Sequence, residues 1–160
     1  MTKKLKCVLL IDDDKSANFL HKFVINKTGL VEKIVDVQSG EEGLEFLQQQ
    51  SGRNCPRPDL IFLDINMPGM TGWDFLEEYN KLDESLKGKI MIIMLSTSDN
   101  PEDKEKASKM RNIHDFLNKP LTVERFTKIV EQFFFNLPIF IITIINSLYQ
   151  TQNAYPFSYA

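Results

Sequence analysis

A chain of 160 residues has the length of one domain and is long enough to enclose a hydrophobic core. Its composition, 42% hydrophobic and 26% charged, is that of a soluble globular protein, and a net charge of -3 supplies no basic field for nucleic acid. Cys7 and Cys55 lack metal-ligand spacing, and Met1-Thr2-Lys3-Lys4 runs into an apolar segment too short for a signal sequence, so reduced thiols in a cytoplasmic protein are expected.

Five short apolar runs alternate with five segments of helical character. The runs are Cys7–Ile11, Ile34–Val37, Leu60–Leu63, Ile90–Leu95 and Asp115–Leu117. Three are almost continuously apolar, as parallel strands buried on both faces should be. Ser39 and Glu42 form a capping-box pattern ahead of Leu44 and Leu47, and Thr71 and Asp74 repeat it ahead of Leu76 and Tyr79. Asn100-Pro101 reads as an N-cap followed by proline at the first helical position. Val123, Phe126, Val130 and Phe133 recur at spacings of three and four and give the last helix an apolar stripe. Alternation of this kind predicts an α/β fold of (βα)5, flavodoxin-like architecture, a five-stranded parallel sheet with helices on both faces.

In such sheets the functional crevice lies at the carboxyl ends of the strands. The first strand runs into Asp12-Asp13-Asp14. The third ends at Asp64, followed by Ile65-Asn66-Met67-Pro68-Gly69. The fourth ends in Ser96-Thr97-Ser98, and the fifth is followed by Lys119-Pro120. Crowded carboxylates repel one another and call for a cation, and hard oxygen ligands with room for water suit Mg²⁺. An aspartate beside that metal and a lysine can attack phosphorus, with hydroxyl or backbone N–H groups binding the transferring oxygens.

The strings Leu9-Leu10-Ile11-Asp12-Asp13-Asp14, Phe62-Leu63-Asp64-Ile65-Asn66-Met67-Pro68-Gly69-Met70-Thr71-Gly72, Leu95-Ser96-Thr97-Ser98 and Asp115-Phe116-Leu117-Asn118-Lys119-Pro120 resemble the response-regulator receiver domain of two-component signalling. The likeness runs from about Lys6 to Phe135, with the four strings in order and each after a predicted strand. It implies that Asp64 is the phosphoacceptor, taking a phosphoryl group from a sensor histidine kinase or a phosphotransfer protein. It further implies that Asp13 and Asp64 ligate Mg²⁺ through side chains, Asn66 through its carbonyl oxygen and Asp12 through water. Ser96 matches the switch hydroxyl, Lys119 the lysine that pairs with the phosphoryl group, and Pro120 follows it across a cis bond. Phe116 matches the switch aromatic, and the side chains of Asn66 and Ser98 stand where water access to the acyl phosphate is tuned.

Taken singly, several of these features have plainer explanations. Asp14 suits a helix N-terminus, Ser96-Thr97-Ser98 suits a turn, and Trp73 and Phe116 suit the core. His21 and His114 have no partners in sequence and are assigned to packing. A phosphatase of the haloacid-dehalogenase type, with Asp12 as nucleophile and Asp14 as acid, is the enzymatic alternative, though it leaves the Asp64 string unexplained. A receiver-like binding module that works without phosphorylation is the other. The expected domain plan is a receiver over 1–135 and an apolar, uncharged tail over 136–160, with no recognisable output domain. In that tail Leu137–Ile145 is strongly apolar and too short and interrupted to span a membrane. Its burial is expected, on the domain itself, in a homodimer or by exchange between chains. The resemblance implies a second face for self-association, the fourth helix, fifth strand and fifth helix, used on phosphorylation.

Overall fold

The structure, a computed structural model, describes residues 4–49, 56–87 and 90–135. Cys55 and the apolar tail with its expected self-association therefore lie outside the described residues. The chain divides into two compact units, Met1–Leu121 and Thr122–Ala160.

The first unit carries, in order, β1 (Leu5–Ile11), α1 (Lys15–Thr28), β2 (Val31–Val37), α2 (Gly40–Gln48), β3 (Leu60–Asp64), α3 (Gly72–Lys81), a short α4 (Glu84–Lys87), β4 (Met91–Ser96), α5 (Pro101–Ser108) and β5 (Ile113–Asn118). The strands form one parallel sheet in the order β2-β1-β3-β4-β5. Chain direction along the sheet reverses at β1, so the crevice between the ends of β1 and β3 is the topological switch point where such sheets bind ligands. The three inner strands are buried nearly throughout and the two edge strands only in part.

Side chains alternate between the two faces of the sheet. Cys7, Leu9, Ile11, Ile61, Leu63, Ile92 and Met94 pack on one face under Phe46 and Leu47 of α2, Phe75, Leu76 and Tyr79 of α3, and Ala107 of α5. The opposite face holds Val8, Leu10, Leu60, Phe62 and Ile93, all buried. Helix α1 belongs to that side, since Lys22 bonds Asp36 at 2.7 Å and Asp36 pairs in register with Leu10. Helix α5 buries Ala107 alone and the short α4 buries no residue, so these two are more thinly anchored in the core than α1, α2 and α3.

The helix starts follow the sequence in two of three cases. Thr71 and Asp74 make a full reciprocal capping box, and Asn100 accepts from the Glu102 N–H with Pro101 at the first turn. Ser39 does accept from the Glu42 N–H, but the Glu42 carboxylate takes the Gln38 N–H rather than that of Ser39, so the box is half made. In the second unit, α6 (Val123–Val130) starts at the Thr122 cap and runs into a π-helical turn, Glu131–Phe135. Phe126 and Val130 of its apolar stripe are buried, and Val123 and Phe133 partly so. Among the described residues no helix is long and apolar enough to cross a membrane.

Candidate functional site

Ile11 pairs with Leu63 in the sheet, so Asp12 and Asp64 emerge side by side from β1 and β3. Both are buried, at 3% and 5% exposure, whereas Asp13 is exposed. The three carboxylates offer oxygens that lie within 4.8 Å of one another. Lys119, delivered by the loop after β5, reaches across with its ammonium 2.9 Å from Asp64 Oδ1 and 2.6 Å from Asp12 Oδ2. The Lys119–Pro120 peptide is cis. The Lys119 backbone N–H donates to the Ser96 carbonyl at 2.8 Å, which ties that loop to the end of β4.

Two glycines make the geometry possible. A Cβ on Gly72 would stand 2.4 Å from the Asp64 carbonyl oxygen, so only glycine lets α3 start this close to the end of β3. Gly69 turns the intervening loop with φ of +77°, a left-handed conformation.

The electrostatics follow from burial. Desolvation pushes the Asp64 carboxyl above the usual range, with Asp12 and Asp13 adding to the rise and Lys119 opposing it. For Lys119, burial alone would lower the pKa, but the contacts with Asp12 and Asp64 outweigh it and hold the ammonium above its ordinary value. Three acids against one ammonium leave the group net negative. Asp12 Oδ1 accepts from the Asp14 N–H at 3.0 Å. Asp12 Oδ2 is buried without a donor in hydrogen-bond geometry, although the Lys119 ammonium lies close to it. A buried, under-satisfied carboxylate oxygen in a net negative group of hard oxygen donors fits a divalent cation such as Mg²⁺ or Mn²⁺.

Asp14 stands apart from this cluster. Its side chain caps α1, accepting from the N–H groups of Ser16 and Ala17, and those bonds lower its pKa. Ser96 is buried at the end of β4, its Oγ accepting from the Ser98 N–H at 2.9 Å. Ser98 Oγ in turn accepts from Asn100, and Asn100 Oδ1 from Glu102, so a chain of bonds runs from Ser96 into the first turn of α5. Asn66 lies exposed two residues beyond Asp64. Phe116, half-buried on β5, lines a cavity of about 240 Å³ with Lys104, Ala107 and Ser108 of α5.

The 8–131 segment of the chain matches the family model of the response regulator receiver domain. The chain belongs to that family. This receiver is 33% identical over 127 residues to the response regulator Rcp1 of Synechocystis, which is 79% of the present chain and 84% of Rcp1. Among solved structures it resembles a two-component response regulator from Cytophaga hutchinsonii, with 33% identity, a TM-score of 0.75, and coverage of 81% of this chain and 97% of that one. It also resembles the manganese-bound form of Rcp1, with 31% identity, a TM-score of 0.61, and coverage of 80% and 93%. The phosphorylated cyanobacterial phytochrome response regulator RcpA is similar at 29% identity and a TM-score of 0.63, covering 79% and 89%. The receiver is thus a module of the two-component signalling class.

The structure also gives polar partners to residues that the sequence assigned to packing or to no role. Both histidines have backbone partners: His21 Nε2 accepts from the Leu121 N–H, and His114 Nδ1 from the Ile92 N–H where the β4–β5 register slips. The Trp73 indole donates to Asp103 at 3.3 Å and lies under the Lys106 ammonium, joining α3 to α5. Asn18, buried on α1, grips two main-chain carbonyls beside the acids. A polar residue where helical periodicity calls for an apolar one was its only signal in the sequence.

Proposed function

We propose that this receiver accepts a phosphoryl group on Asp64 from a phosphohistidine of a sensor histidine kinase or phosphotransfer protein, and that the modification changes what the α5–β5 face binds. The observation that carries the reading is a buried Asp64 carboxylate at the switch point with an ammonium at 2.9 Å and two further carboxylates beside it. In the transfer, an Asp64 oxygen bonds to phosphorus as the P–N bond breaks, and the departing imidazole keeps the electron pair and takes up a proton. Lys119, which Asp12 contacts at 2.6 Å, would pair with the phosphoryl oxygens. Asp13 and Asp64 would hold Mg²⁺ directly, with the Asn66 carbonyl, and Asp12 through water; bound there, the cation supplies charge neutralisation at those oxygens.

Ser96 would then turn its hydroxyl toward the phosphoryl group, giving up the Ser98 N–H and loosening the bonds that lead into α5. Phe116 shares a cavity with α5 and would repack with it. Asn66 and Ser98 would govern access of the water that hydrolyses the acyl phosphate. Self-phosphorylation and self-dephosphorylation are the chemistry expected of residues 1–135, in a cytoplasmic setting. The donor would approach over α1, where Phe19 and Phe23 are 75% and 54% exposed beside a cleft lined by Asp14, Leu20, Lys119 and Pro120. The phosphatase alternative is disfavoured because its acid, Asp14, is committed to capping α1 with a lowered pKa.

Intact-mass measurement after mixing the protein with Mg²⁺ and acetyl phosphate tests the reading. One Mg²⁺-dependent phosphoryl adduct, absent from Asp64→Asn, is expected. An adduct that persists in Asp64→Asn, or no adduct together with no thermal stabilisation by beryllofluoride, would refute it.

A further inference from the structure

Asn18 is 1% exposed and lies on the inner face of α1 with His21, Val24 and Ile25. Its Nδ2 group donates to the Asp12 carbonyl at 2.9 Å and to the Val37 carbonyl at 3.2 Å, so both amide hydrogens are used. The other end of the carboxamide, Oδ1, is buried with no hydrogen-bond partner. Leaving a buried acceptor unsatisfied costs stability, and an apolar side chain of the same volume would avoid that cost. Packing alone therefore does not account for asparagine here.

The two carbonyls show what it achieves. Val37 closes β2, Asp12 follows β1, and the Asp12 N–H also donates to the Val37 carbonyl at 3.2 Å. The Asp12 carbonyl belongs to the planar peptide that joins Asp12 to Asp13. A grip on that oxygen sets the tilt of the peptide and hence the direction in which Asp13 leaves the chain. The Asp12 carboxylate has ties of its own, to the Asp14 N–H and to Lys119. Asp13 is exposed, so the orientation of its peptide governs where its carboxylate stands.

We propose that Asn18 is a positioning residue which, by gripping the Asp12 carbonyl, holds the Asp13 carboxylate beside those of Asp12 and Asp64 in readiness for a divalent cation. This rests on the metal-binding part of the reading above. Asn18 touches neither cation nor phosphoryl group; it sets the arrangement of the ligands, not their chemistry.

The test is a titration of the full chain with Mn²⁺, followed by electron paramagnetic resonance of the free ion. Wild type is compared with Asn18→Leu, with Asn18→Ser, and with Val24→Ala, a buried truncation on the same face of α1. Losing a residue that orients ligands should weaken Mn²⁺ binding about tenfold or more in both Asn18 variants. Val24→Ala should melt earlier yet bind Mn²⁺ within about twofold of wild type. With acetyl phosphate, the Mg²⁺ concentration for half-maximal phosphorylation should rise in the Asn18 variants, with the rate at saturating Mg²⁺ kept within about twofold. The serine variant shortens the side chain beyond reach of the carbonyls and keeps the test decisive if the leucine variant does not fold. Binding within about twofold of wild type in a folded Asn18 variant would overturn the proposal, as would an equal loss in Val24→Ala. Wild type that binds no Mn²⁺ would instead overturn the metal-binding reading, which its own titration shows separately.

Discussion

Replacing Asp64 by asparagine should stabilise the metal-free protein, even though the substitution removes the partner of a buried lysine. At an effective dielectric of about 20, the ammonium 2.9 Å from Asp64 attracts it by about 6 kcal/mol. The Asp12 carboxylate at up to 4.8 Å repels it by about 3.5 kcal/mol, and the exposed Asp13, screened by water, by about 1 kcal/mol. These terms cancel to within about 1–2 kcal/mol, so the deciding quantity is desolvation of a buried charge, which runs to several kcal/mol. That ordering agrees with the raised pKa of Asp64, whose largest cause is burial. A neutral amide escapes the desolvation cost, and Lys119 keeps Asp12 at 2.6 Å. The net gain should be about 1–3 kcal/mol, a rise in Tm of about 3–10 °C for a chain of this size. The assay is thermal unfolding in chelator across pH 4–8. Because the folded-state pKa of Asp64 is raised, the folded protein holds that proton more tightly than the unfolded chain. Wild type should therefore lose stability relative to the variant as pH rises above the unfolded aspartate value of about 3.9, and the two should converge as pH falls toward it. A variant that melts at or below wild type at pH 7, or a gap that does not narrow toward pH 4, would refute the reasoning.

Gly72→Ala should destabilise by about 1–3 kcal/mol, since its Cβ would stand 2.4 Å from the Asp64 carbonyl oxygen and force β3 and α3 apart. Urea denaturation reads this as a lower midpoint, and an unchanged midpoint would show that α3 shifts freely. Phe19→Ala combined with Phe23→Ala should leave the midpoint nearly unchanged, as surface substitutions do, because both rings are mainly exposed. The same pair should slow phosphorylation by a histidine kinase and not by acetyl phosphate; equal slowing with both donors would remove α1 from the docking role.

The inner strands were legible in the sequence because a parallel strand buried on both faces must be apolar at every position, as Val8–Ile11 and Leu60–Leu63 are. The edge strands read short. β2 begins at Val31 rather than Ile34 and β5 at Ile113 rather than Asp115, because exposed Glu32, Lys33 and His114 interrupt the apolar signal on half-solvated strands. The four-residue α4 gave no signal, having no buried residue and too few turns for periodicity. Asp12, Asp13, Asp64, Ser96 and Lys119 could be named in advance because each lies at the carboxyl end of a strand, and the order of strands in a parallel sheet converts that into proximity. Their partnership could not be named. That one ammonium contacts both Asp12 and Asp64, and that Asn18 grips the Asp12 carbonyl, are distances across chain separations of up to 107 residues. Local sequence carries propensity and periodicity, which decide the elements; the partner of a buried polar atom depends on which elements meet, and only the tertiary structure decides that.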